Sequence, residues 1–183
     1  MSAPGGRLNG AAIALDDGRH AWSAADLQAA VDATAAQLRG RGSRVLATLL
    51  DNGAPFVALD EAALQAGVVH VPLPLFFTPQ QLAHALHEAG VDTLVAAAPL
   101  ARQWPALRLA TVTVAGEDVA VARLPAAEVA RSAGTAKITF TSGSTGQPRG
   151  VRLSATAMRQ VAQGLVEALA PLGIERHLSV LPY

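Results

Sequence analysis

Lys137–Ser154 reads KITFTSGSTGQPRGVRLS, and the order of residue types in this stretch decides the fold. Ile138-Thr139-Phe140-Thr141 is apolar and β-branched, the composition of a strand. It runs into small residues, Ser142-Gly143-Ser144-Thr145-Gly146, continued by Gln147-Pro148-Arg149-Gly150. A second short extended run, Val151-Arg152-Leu153, leaves the loop, and Ser154 stands where a helix N-cap is expected. The spacing predicts a strand–loop–strand–helix unit.

The chemistry open to that loop is narrow. Its glycines admit positive φ and close approach, so several backbone N–H groups can point into one concavity. Thr141, Ser142, Ser144 and Thr145 add short hydroxyl donors, and Arg149 brings a permanent cation suited to phosphate oxygens. Donors plus a cation, with no acid, describe an anion cradle for a polyphosphate. The alternative is a flexible hairpin tip on the surface, which has the same composition. Two other phosphate loops do not fit. G-x-x-x-x-G-K-[ST] fails because the sixth position from Gly143 is Pro148, and G-x-G-x-x-G fails on the spacing of Gly143, Gly146 and Gly150. The loop also lies between extended runs, so backbone amides and hydroxyls, not a helix dipole, are the expected device.

TSGSTGQPRGV resembles the signature loop of the adenylate-forming superfamily, [ST]-S-G-[ST]-T-G-x-P-K-G-V, with Arg149 where the family usually has lysine. Trp22-Ser23-Ala24-Ala25-Asp26-Leu27 resembles the family's early T-Y-x-E-L, and DNGAPFVALDEAALQAGVVHVPLP resembles the segment that ends in its A-G-x-v-x-v-P-l. The resemblance covers the first part of the family's large N-terminal domain; the later adenine, ribose, acidic and lysine-lid motifs have no counterpart here. It implies ATP-dependent activation of a carboxylic acid to an acyl-adenylate, followed by transfer to a thiol, either coenzyme A or a carrier protein. The implied nucleotide-binding residues are Thr141, Ser142, Gly143, Ser144, Thr145, Gly146, Arg149 and Gly150. Arg149 and Thr145 are the implied catalytic residues, with Mg²⁺ accompanying ATP and no metal ligand expected from this chain. The resemblance implies a partial domain over residues 1–183, divided into an α/β part (1–134) and a hairpin–helix part (135–183), inactive by itself. Two alternatives stand beside the ligase: a phosphate-binding module without chemistry, and a structural piece that assembles with a partner chain.

At 183 residues, one domain with one substantial core is the default. Lys+Arg and Asp+Glu balance at 14 each, which gives no reason to propose nucleic acid or an anionic membrane surface as a partner. Cysteine is absent, which excludes disulfides, thiolate metal sites and a cysteine nucleophile. No targeting or transmembrane stretch stands out, so a soluble cytoplasmic protein is the simplest expectation.

Along the chain, Ala12–Leu15 and His20–Trp22 flank an Asp17-Gly18 turn and read as two short strands after a loose terminus. Ser23 then caps a helix that presents Leu27, Ala30, Val31, Thr34 and Leu38 on one face, stopped by Gly40 and Gly42. Arg44–Leu50 reads as a buried parallel strand. Pro55 opens a second helix burying Phe56, Leu59 and Ala63 up to Gly67, and Val68–Pro72 is the next strand. Thr78-Pro79-Gln80-Gln81 is a capping box for a third helix that ends at Gly90. Thr93–Ala97 and Thr111–Val114 follow as strands. Alternating strand and helix predicts an α/β fold, a mostly parallel sheet flanked by helices. Residues 115–136 predict an irregular bridge. Met158, Val161, Ala162, Leu165 and Leu169 stripe a last helix, and His177–Leu181 predicts a further strand. His84, His87 and Glu88 match no zinc motif and predict a solvated face. Phe76-Phe77 predicts core packing. Asp60-Glu61 make no paired-carboxylate case. Exposed edges and apolar surface predict self-association or docking with the rest of an enzyme, against which a monodisperse monomer would count.

Overall fold

The computed structural model describes residues 7–8, 11–101, 107–141, 147–174 and 177–179. Near the start, β1 (Arg7–Leu8), β2 (Ala11–Asp16) and β3 (Ala21–Ser23) form a small antiparallel sheet. β1 falls in the stretch expected to be a loose terminus. Asp17 closes the β2–β3 turn by accepting the backbone N–H groups of Arg19 and His20 at 2.9 and 2.8 Å.

The main sheet has seven strands. β4 (Val45–Leu49), β5 (Val69–Pro72), β6 (Thr93–Ala97), β7 (Leu109–Val114), β8 (Glu117–Arg123), β9 (Thr135–Thr141) and β10 (Arg149–Ser154) take the order β10-β9-β5-β4-β6-β8-β7. The ladders β9–β5, β5–β4 and β4–β6 are parallel, while β10–β9, β6–β8 and β8–β7 are antiparallel. The α/β class therefore holds, with a parallel centre inside a mixed sheet.

The irregular bridge expected over residues 115–136 is corrected by β8, which inserts between β6 and β7. Its turn is the two-residue Ala115-Gly116, with φ of 46° and 76°. A two-residue hairpin needs positive φ at both positions, which normally selects Asn-Gly or Asp-Gly. Alanine there masks the signal. The strand expected at His177–Leu181 is also absent over residues 177–179; the rest of it lies outside the described residues.

Helices cover both faces. α1 (Ala24–Gly40) and α2 (Ala54–Ala66) pack on one side and α3 (Pro79–Glu88) on the other; the short α4 (Ala98–Ala101) follows β6. Alternation along β4 assigns the faces: Leu46 and Leu50 join Val31, Leu38, Phe56 and Leu59, while Val45, Ala47 and Leu49 join Phe77, Ala85, Ile138 and Phe140. The caps act as the residue types dictate. Ser23 accepts Asp26 N–H at 3.2 Å, and Thr78 with Gln81 closes the full capping box. Gly67 ends α2 at φ 69°. Phe76 and Phe77 divide, Phe77 buried and Phe76 71% exposed.

At the start of the parallel strands β4 and β6, buried Asp92 ties them to the antiparallel β8. Its carboxylate accepts Arg44 N–H at 2.9 Å, Val45 N–H at 3.3 Å and the Thr93 hydroxyl at 2.7 Å, and Arg123 of β8 donates at 3.3 Å. α5 (Ala155–Leu169), capped by Ser154, follows β10 and buries none of its residues; Val161, Leu165 and Leu169 face outward. Among the described residues no helix is long and apolar enough to cross a membrane.

Candidate functional site

Parallel strands direct their C-terminal ends, and the loops that leave them, toward one edge, where α/β folds bind ligands. β9 ends there at Thr141, directly before Ser142 in the sequence. Antiparallel pairing with β10 sets Thr141 opposite Arg149 and Phe140 opposite Gly150, so both ends of the loop meet at the hairpin mouth. Thr141 closes β9, and its hydroxyl makes a long 3.5 Å contact to the Arg149 carbonyl. Ser142, Gly143, Ser144, Thr145 and Gly146 lie outside the described residues. Of the expected site residues, the structure brings together Thr141, Arg149 and Gly150.

Beside the mouth, between α3 and the hairpin, lies a cleft of about 460 Å³ lined by His84, Glu88, Ile138, Phe140, Arg149 and Arg152, among others. That size suits a small ligand. Arg149 is exposed, and among the described residues no carboxylate lies within ion-pair distance of it. Its guanidinium is thus available to an anion. Gly150 has a steric reason: a Cβ there would sit 3.0 Å from Ile138 Cγ2 and 3.2 Å from Phe140 Cζ. Pro148 is buried, and its carbonyl accepts from His84 Nε2 at 3.2 Å. The solvated face expected for His84 is therefore corrected. The hairpin folds back over α3 and takes His84 as a support, a contact 64 residues away in sequence that helix periodicity cannot show.

One polar cluster escaped sequence reasoning altogether. His70, 1% exposed in β5, has Nδ1 2.6 Å from Asp60 Oδ1 of α2 and Nε2 2.9 Å from the Thr48 hydroxyl of β4. Lys137 of β9 donates to Asp60 Oδ2 at 2.7 Å. The Phe56 ring lies 5.7 Å from the imidazole. Burial is the main cause holding His70 below its ordinary value; Asp60 pulls it back up, and the Lys137 charge pushes it down again. Burial alone would push Asp60 up, but the hydrogen bonds and charges of His70 and Lys137 outweigh it and hold the carboxyl low. The groups are thus a neutral ring donating from Nδ1 to a carboxylate, with Thr48 donating to Nε2. The order of groups matches a nucleophile relay, yet Thr48 is 1% exposed, so no substrate reaches its hydroxyl.

This cluster sets a pH dependence. A histidine whose folded pKa is depressed takes up protons on unfolding, so stability falls as pH drops below 6.5. Asp60, also depressed, adds stability above 3.8 that is lost as pH falls through its lower folded value. The thermal midpoint is expected to decline from pH 7 toward pH 5, and His70→Gln to flatten that decline. A native midpoint constant across this range would contradict the assignment.

Comparison with known proteins agrees with the geometry. The family described as "AMP-binding enzyme" matches residues 6–183. Pyochelin synthetase PchF of Pseudomonas aeruginosa is 35% identical over 144 residues, 78% of this chain and 8% of that protein. The probable non-canonical nonribosomal peptide synthetase CymA of Salinispora arenicola is 30% identical over 173 residues, 91% of this chain and 2% of that protein. Among solved structures, O-succinylbenzoate coenzyme A synthetase (MenE) from Bacillus subtilis, in complex with AMP, superposes with a TM-score of 0.70 at 26% identity, over 93% of this chain and 46% of that one. A second structure of the same synthetase, with ATP and magnesium ion, gives 0.65 at 25% identity, over 89% and 45%. The chain therefore spans under half of these synthetase structures and a small part of the peptide synthetases. With the signature loop carried between β9 and β10 and a family match over nearly its full length, the chain belongs to the AMP-binding enzyme family of adenylate-forming enzymes.

Proposed function

We propose that this chain supplies the ATP phosphate-binding part of an acid–thiol ligase. The observation that carries the reading is the exposed Arg149 guanidinium, without a carboxylate partner among the described residues, at the mouth of a hairpin whose sequence reads TSGSTGQPRGV. In the first half-reaction a carboxylate oxygen attacks the α-phosphorus of ATP and pyrophosphate leaves, giving an acyl-adenylate. In the second, a thiol of coenzyme A or a carrier protein takes the acyl group and AMP leaves. The first step brings an anion against a polyanion, so its barrier is dominated by positioning and charge neutralisation. Ser142, Ser144, Thr145 and the amides of Gly143 and Gly146 hold the β- and γ-phosphates, with Thr141 fixing the loop entrance and Gly150 leaving room beside the cleft. Arg149 cancels phosphate charge from the β10 side. The donor set fits a polyanion, and Mg²⁺, when bound with the nucleotide, supplies further charge cancellation on the phosphate oxygens.

The chain alone does not complete this reaction. What supports that reading is its extent, under half of the synthetase structures it superposes on. The test is a calorimetric titration of the chain with MgATP, ADP and AMP, followed by incubation with ATP and fatty or aromatic acids. Because the proposed grip is on the outer phosphates, MgATP is expected to bind at least tenfold more tightly than AMP, about 1.4 kcal/mol. Equal affinities would remove the loop's assigned role, and acyl-adenylate formed by the isolated chain would overturn its incompleteness.

A further inference from the structure

β9 ends at Thr141, immediately before the loop sequence, and lies between two strands of the sheet. On one side it pairs with the edge strand β10; on the other it runs parallel to β5, with His70 in register with Lys137. The side chains of that pair converge on the same carboxylate, Asp60 Oδ1 meeting His70 and Oδ2 meeting Lys137. We propose that Asp60 is a positioning residue that clamps β9 through Lys137 and His70, and so holds the phosphate loop in its binding geometry; this rests on the triphosphate reading above.

Lys137 lies four residues before Thr141, about 13 Å along the strand, so the clamp grips the base of the hairpin whose tip carries the loop. A slip of one residue would turn Ile138 and Phe140 out of the α3-side core and bring Thr139 in. Pairing with β10 and β5 opposes that slip. A partly buried carboxylate with both oxygens committed opposes it further, because a displaced β9 would take Lys137 away from Asp60. The side chains of Asp60 and Lys137 are 25% and 20% exposed, so the pair is largely removed from solvent screening. Thr48 extends the network into β4, which anchors the clamp in the sheet centre.

The test compares the native chain with Lys137→Met, Lys137→Arg and Asp60→Asn, reading MgATP affinity and amide hydrogen exchange strand by strand. Lys137→Met is expected to weaken MgATP binding about tenfold and to speed exchange in β9 and β10 while leaving β4 and β6 protected. Lys137→Arg, which keeps the charge, recovers most of both. Should Lys137→Met fail to fold, Asp60→Asn, which keeps the shape of the carboxylate, gives the same hairpin-confined loosening. A uniform fall in protection across all strands with MgATP affinity unchanged overturns the clamp and leaves a merely structural ion pair. If the native chain binds no MgATP, the triphosphate reading fails, and the exchange pattern still decides whether Asp60 holds β9.

Discussion

Asp92→Ala is expected to destabilise the chain by about 3–5 kcal/mol, the largest effect of any single polar substitution considered. The carboxylate is 2% exposed and accepts the N–H groups of Arg44 and Val45, the Thr93 hydroxyl and the Arg123 guanidinium. Alanine would leave those donors facing a void at the start of β4 and β6, each buried orphan costing about 1–3 kcal/mol. Thr93 would lose its acceptor while still receiving the 2.8 Å bond from Ser43. Asp92→Asn keeps one acceptor oxygen and should lose distinctly less. Urea melts of the three proteins check this, and a loss under about 1 kcal/mol for alanine would show that water replaces the carboxylate.

Arg149→Ala is expected to weaken MgATP binding by about 2 kcal/mol, roughly thirtyfold, with little change in folding stability. Arg149 is exposed, begins β10 opposite Thr141, and has no carboxylate partner among the described residues, so its removal breaks no ion pair among them. Against a polyphosphate, the same guanidinium makes charge-assisted hydrogen bonds, the stronger kind. Arg149→Lys keeps the charge without the planar fork and should stay within about fivefold of native affinity. Identical binding heats for native and alanine chains would exclude Arg149 from the site.

What the sequence made legible was local chemistry. Ser23, Thr78 and Ser154 are capping residues whose partners lie three positions away, and each caps its helix as its type requires. The β9–β10 hairpin was readable for the same reason: β-branched runs flank small residues. β8 was not, because Ala115 occupies a positive-φ position without the residue type that announces one. The Asp60–His70–Lys137 network was hidden differently. Its members lie 10 and 77 residues from Asp60 in sequence and meet only once β5 and β9 run side by side. His84 is hidden the same way: its own helix says solvent, while the hairpin whose Pro148 carbonyl it meets comes 64 residues later in the chain. The donors of the loop itself, Ser142 to Gly146, rest on the sequence match.

Whether this hairpin grips the outer phosphates of a nucleoside triphosphate is decided by amide chemical-shift mapping with MgATP. Shifts are expected in residues 141–150 and around His84 of α3, with β7 at the far edge of the sheet unmoved. Shifts centred on the β8–β7 edge, with the hairpin silent at saturating nucleotide, would contradict it.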